Sequence, residues 1–74
     1  MTYKIVARGR QKVAPVLVKK WFSLQSEDGS TMNVTALFLE GRLRLLWIEK
    51  GHEVKTYTDE DAERKYAELF PDEA

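Results

Sequence analysis

Cysteine is missing from this chain altogether. That absence excludes a disulfide framework, a thiol nucleophile and a thiolate-bound metal, and it fits a reducing compartment. Histidine occurs once, at His52 beside Gly51, where it reads as an exposed turn residue. A nucleophilic triad needs nucleophile, base and orienter within hydrogen-bond reach, and Ser23, Ser26 and Ser30 cluster around one turn with no glycine elbow. No catalytic residue is therefore expected. No apolar run approaches the ~20 residues that span a bilayer, and Met1-Thr2-Tyr3-Lys4 lacks the regions of a secretion signal. The expectation is one small domain over residues 1–74, cytoplasmic and without a membrane partner.

Metal and cofactor chemistry is equally poorly supplied. Asp59, Glu60 and Asp61 are consecutive, and consecutive helical side chains point about 100° apart, so they do not converge on one ion. Asp59 and Glu63, one turn apart, form the one pair with suitable spacing, and a dipole-matched helix start explains these acids more simply. A phosphate-binding glycine loop is missing as well. The reading is no metal and no cofactor.

What the chain does have is charge sorted by position. Twelve basic and twelve acidic residues cancel, yet residues 1–24 carry Lys4, Arg8, Arg10, Lys12, Lys19 and Lys20 with no acid. From Tyr57 onward seven acids face two bases, Arg64 and Lys65, leaving net charges of +6, −1 and −5 along the chain. Local field rather than net charge steers association, so such polarity suits a charged macromolecular partner. At 43% hydrophobic and 32% charged residues the composition is that of a folded globular domain.

Proline and glycine are sparse enough to act as punctuation. Tyr3, Ile5 and Ala7 alternate with polar or outward positions as in a half-buried strand, and Arg8-Gly9-Arg10-Gln11-Lys12 is predicted to end it as a basic loop. Pro15 cannot donate to a ladder, so a second strand is placed from Val16 to Gln25. A three-residue Glu27-Asp28-Gly29 turn, with Gly29 left-handed, sets Leu24 against Met32, Phe22 against Val34 and Val18 against Phe38. A two-residue loop would instead send these side chains to opposite faces.

Met32–Leu39 and Arg42–Ile48 flank Glu40-Gly41, the signal of a tight hairpin. Unbroken alternation across it predicts a core face of Val34, Ala36, Phe38, Leu43, Leu45 and Trp47. The second face then carries Trp21, Leu37, Leu39, Leu46 and Ile48. A short last strand is expected from Glu53 to Tyr57. Thr58 before Asp59, Glu60 and Asp61 reads as a hydroxyl cap with carboxylates in the first helical turn. Ala62, Tyr66, Leu69 and Phe70 form one apolar stripe that Pro71 ends. The fold expected is α+β: four or five mostly antiparallel strands in meander order, followed by one C-terminal helix packed on the sheet.

Two short stretches resemble known families. Arg8-Gly9-Arg10 resembles the Arg-Gly-Arg core of AT-hook peptides, which insert into the minor groove of AT-rich DNA; the proline that follows in that motif is missing here. Lys55-Thr56-Tyr57-Thr58-Asp59-Glu60-Asp61-Ala62, continuing to Phe70, resembles the strand-to-helix end of WGR domains. The Trp-Gly-Arg signature is missing there, since Gly41-Arg42 lacks its tryptophan, and a generic strand followed by a capped helix accounts for the likeness.

Two functional readings follow. The first is a non-enzymatic regulatory or inhibitory adaptor that occupies a surface on a larger protein, in the manner of small phage proteins that act on host enzymes. One short helix covers one face of the sheet, so the second face is closed by curling, by the N-terminal strand, by another protein or by a second copy as a homodimer. Trp21, Leu37 and Leu39 are its expected apolar anchors, with Arg42 and Arg44 as rim charges. The alternative is a DNA- or RNA-binding module in which Arg8, Arg10, Lys12, Lys19 and Lys20 neutralise phosphates.

Overall fold

A computed structural model describes residues 3–72, and Met1, Thr2, Glu73 and Ala74 lie outside the described residues. Five strands, β1 (Tyr3–Ala14), β2 (Leu17–Ser26), β3 (Thr31–Leu39), β4 (Arg42–Lys50) and β5 (Glu53–Thr58), precede one helix, α1 (Asp59–Leu69). The strands form a single antiparallel sheet in the order β1-β2-β3-β4-β5, and α1 packs on β4 and β5. This is the α+β meander with a terminal helix that the punctuation of the sequence predicts.

The β2–β3 hairpin takes the expected register, with Leu24 opposite Met32, Phe22 opposite Val34 and Val18 opposite Phe38. Its turn is held from within. Gly29 sits at φ 89°, and its N–H donates to the Ser26 carbonyl at 3.1 Å. Asp28 accepts from the Ser26 hydroxyl and, at 2.9 Å, from the Ser30 N–H. These donors, the Ser26 hydroxyl foremost, hold the Asp28 carboxyl down at about 2.

The basic segment is a strand, not a loop. β1 runs on through Arg8-Gly9-Arg10-Gln11-Lys12 to Ala14, and the chain reverses at Pro15-Val16 instead. Two register shifts, between Ile5 and Ala7 and between Lys12 and Ala14, leave Val6 and Val13 unpaired as bulged residues. Bulges and cations on an edge strand both hinder a further strand from adding to it. The first bulge also separates Ala7, opposite Ser23, from the face shared by Tyr3 and Ile5.

A third bulge revises the expected core. The β3–β4 turn is the two-residue Glu40-Gly41, at φ 53° and 79°, and Leu39 and Phe38 face Arg42 and Leu43 as predicted. Beyond them Leu37 pairs with Leu45, leaving Arg44 as one extra residue. Every later position then changes face: Ala36 meets Leu46 and Val34 meets Ile48, while Trp47 lies opposite Thr35. Leu46 and Ile48, assigned from sequence to the second face, are buried; Trp47, assigned to the core, is 37% exposed.

The core therefore consists of Phe22 and Leu24 from β2, Met32, Val34 and Ala36 from β3, Leu43, Leu46 and Ile48 from β4, and Ala62, Tyr66 and Phe70 from α1 and its C-terminal cap. The apolar stripe of the helix packs as its spacing predicts, with Leu69 against its margin. Four rings tie the layers together. The Phe22 and Phe70 centroids are 4.4 Å apart, and Tyr66 meets Phe38 edge-on at 5.8 Å. Thr58 is extended at the helix start, but its side chain makes no capping hydrogen bond, contrary to the sequence expectation. Asp59, at φ 49°, makes the turn from strand into helix.

Candidate functional site

With α1 on one face, the other face of the sheet has no cover among the described residues. Pairing places Gly9, Trp21, Thr35, Trp47 and Thr56 in one row across all five strands of that open face. Adjacent strands are about 4.8 Å apart, so the two tryptophans stand roughly 10 Å apart with only a threonine between them. Trp21 is 40% exposed, and Leu39, near the end of β3, 41%. Leu17, Leu37 and Leu45 add half-buried apolar surface at the same end.

Each tryptophan is positioned by a specific neighbour. The Trp21 ring lies directly against Gly9, where a Cβ would come within 1.9 Å of its Cζ2. Glycine in a strand often marks such a close approach, and covering it with an aromatic ring shields its backbone. The Trp47 indole N–H donates to Glu49 Oε1 at 3.0 Å, two residues along the same strand face. The next row is polar, with Ser23 Oγ donating to Asn33 Oδ1 at 3.0 Å. Gln11, Lys19, Trp21, Ser23, Asn33 and Glu49 border a shallow depression there.

The residues nominated from sequence are divided by the sheet. Trp21, Leu37 and Leu39 share the open face. Arg42 and Arg44 instead reach the helix: Arg42 Nε lies 3.2 Å from Glu63 Oε1, and Arg44 Nε 3.2 Å from Asp59 Oδ1. Both pairs are solvent-exposed, so they orient α1 on β4 and contribute little net stability. They also occupy the two carboxylates whose one-turn spacing had suggested a cation pair. Among the described residues no cluster of three or more metal-ligating side chains forms.

The basic set divides as well. Arg8, Arg10 and Lys12 alternate along β1 opposite Phe22, Lys20 and Val18, which puts these three and Lys20 on the helix side of the sheet. Arg8 lies 5.3 Å from the centroid of the Phe22 ring, and Lys20 lies 5.0 Å from that of Phe38. Lys19 points to the opposite, open face beside Leu37. The ladder thus flanks the aromatic core where α1 stops short of β1.

Sequence reasoning missed Trp47 as a surface residue, because the Arg44 bulge carries no composition signal. Gly9 was legible only as a loop residue. The chain matches no family model, no curated protein and no solved structure, so the reading of its surfaces rests on their geometry. No helix among the described residues is long and apolar enough to cross a membrane.

Proposed function

We propose that the protein is a non-enzymatic binding module that docks on a larger protein through the open face of its sheet. The observation that carries this reading is the Trp21–Thr35–Trp47 row: two half-exposed indoles, held by Gly9 and Glu49, flank a small residue on a face that the single helix leaves bare. Tryptophans fixed in place before binding lose little entropy on docking and dominate the energy of many interfaces. Leu37 and Leu39 extend the apolar surface, and Lys19 and Glu49 supply charges of both signs at its margin. Arg42 and Arg44 serve this module by fixing the helix rather than by touching the partner. A regulatory or inhibitory role follows if the docked surface belongs to an enzyme.

Testing this requires capture from the native lysate after nuclease treatment, with the wild-type chain and with Trp21→Ser, Trp47→Ser and Leu39→Asp. A nuclease-resistant partner lost with each of these variants, while backbone spectra stay dispersed, supports the reading. Capture indifferent to all three moves the interface elsewhere. Sedimentation across a concentration series distinguishes a homodimer, which would bury the same row against itself.

A second reading rests on its own observation, the alternation of Arg8, Arg10 and Lys12 with Lys20 beside them on the helix side of β1 and β2. Such a ladder suits a phosphate backbone. Binding to duplex DNA or single-stranded RNA through it would weaken steeply with salt, by about 0.9 in log–log slope per phosphate neutralised on duplex DNA. It would survive the Trp21 and Trp47 substitutions, and Lys19→Gln would leave it unchanged.

A further inference from the structure

The helix side of the sheet carries a second feature, at the end away from the Arg42 and Arg44 ion pairs. Between the C-terminal half of α1 and the β4–β5 hairpin lies a pocket of about 280 Å³. Its base is apolar, formed by Met32, Ile48 and Leu69. Tyr3 from β1 and Tyr57 from β5 supply two aromatic walls. Three lysines gather at the rim, Lys50 from β4, Lys55 from β5 and Lys65 from α1, with Glu53 as the one acid among its described lining residues.

This gathering of cations is built by the register. Lys50 pairs with Glu53 and Ile48 with Lys55, so Lys50 and Lys55 are diagonal neighbours on the helix face of adjacent strands. Like charges so placed repel. Aromatic faces temper the repulsion: Lys50 Nζ lies 5.7 Å from the Tyr3 ring centroid and Lys65 Nζ 6.0 Å from that of Tyr57. Glu68, at 3.3 Å, engages Lys65 from the helix surface.

The Tyr3 hydroxyl is itself the unresolved element of the site. Its oxygen is buried and has no hydrogen-bond partner among the described residues. A buried hydroxyl left unsatisfied loses its hydrogen bonds to water without replacement, so such a group calls for a partner. A phenol donates to an anion, and the lysines around it favour one. Apolar base, two aromatic walls, a donor without an acceptor and three cations together define a ligand by its chemistry.

We propose that this pocket binds a small organic anion. Its oxyanion head, a phosphate or carboxylate, is held by Lys50, Lys55 and Lys65 and accepts a hydrogen bond from Tyr3. Its short apolar or aromatic body rests on Met32, Ile48 and Leu69. The site is separate from the open face, so a ligand here and a partner there bind on opposite sides of one sheet.

The test is a titration of isotope-labelled protein with phenyl phosphate, with inorganic phosphate and with phenol as head-only and body-only probes. Saturable shifts confined to Met32, residues 48–57, residues 65–69 and the Tyr3 region are expected with phenyl phosphate. Inorganic phosphate should bind at least tenfold more weakly, and phenol should not compete at equal concentration. Lys55→Gln and Lys50→Gln should each weaken phenyl phosphate binding about tenfold. Tyr3→Phe, which keeps the ring, should weaken it several-fold, and all three variants should retain wild-type spectra elsewhere. Arg10→Gln with Lys12→Gln should leave the affinity unchanged. No saturable binding, equal affinity for inorganic phosphate, or loss on the Arg10 and Lys12 changes would overturn the assignment.

Discussion

Gly9 and Trp21 form one unit: the indole lies on the glycine, and a β-carbon at residue 9 would stand 1.9 Å from its Cζ2. The pair explains why a glycine interrupts the cations of β1. Arg8 and Arg10 point to the helix side, and the position between them must be bare so that the ring can lie down on the other. Gly9→Ala should lift the indole and destabilise the fold by about 1 to 3 kcal/mol, as overpacking does. Tryptophan emission and urea unfolding measure both, and an unaltered spectrum with unaltered stability would show that the ring does not rest there.

The revised core can be tested by contrasting two rings. Phe22 is 2% exposed and touches both Tyr66 and Phe70, so Phe22→Ala should cost about 3 to 5 kcal/mol. Trp47→Ala should cost less than half as much, because its ring is already half in water. Comparable losses in denaturant titrations would return Trp47 to the core.

At the β3–β4 turn, Glu40 adopts a left-handed conformation that costs a non-glycine residue roughly 1 to 2 kcal/mol. Asparagine tolerates it better, and Asn-Gly is the favoured pair where both turn residues have positive φ. Glu40→Asn should therefore raise the melting temperature. A decrease in scanning calorimetry would contradict the turn assignment.

Asp28 makes stability depend on acid. Its folded pKa, about 2, lies below the ordinary aspartate value of 3.8, so its contribution is fully present above about pH 4 and disappears as pH falls through about 2. Carbon-detected titration of its carboxyl should give a midpoint near 2, and Ser26→Ala should move that midpoint upward. An unshifted midpoint in the variant would remove the Ser26 hydroxyl as its main cause.

Thr58 provides a contrast with the usual capping rule. Losing a cap typically costs about 0.5 to 2 kcal/mol, but no capping hydrogen bond forms here. Thr58→Ala should cost less than about 0.5 kcal/mol in urea unfolding; a larger loss would mean that the hydroxyl caps the helix in solution.

Element order, two hairpin registers up to Phe38–Leu43 and the buried stripe of α1 were all readable because each follows from local chemistry: a turn glycine, a proline, a 3.6-residue spacing. The open face was only half readable. Trp21, Leu37 and Leu39 fall on it by simple alternation, whereas Trp47 requires the Arg44 bulge, and an arginine there looks like any other exposed strand residue. Lys19 and Lys20 read as one basic pair although adjacent strand residues face apart. The lysines of the pocket come from β4, β5 and α1, and only the helix folding back along β5 brings the third to the other two.

That bulge also gives β4 a point of slack. Elsewhere in a paired strand, removing one residue exchanges the inner and outer sets beyond it. At Arg44 removal would merely close the extra space: Leu43 would still meet Phe38, Leu45 would still meet Leu37, and Trp47 would stay outside. The chain could shorten by one residue there and keep its two faces distinct, giving up only the tether to Asp59. Chain length and facing are uncoupled at this position, so relatives of different length across it would still present the same two surfaces.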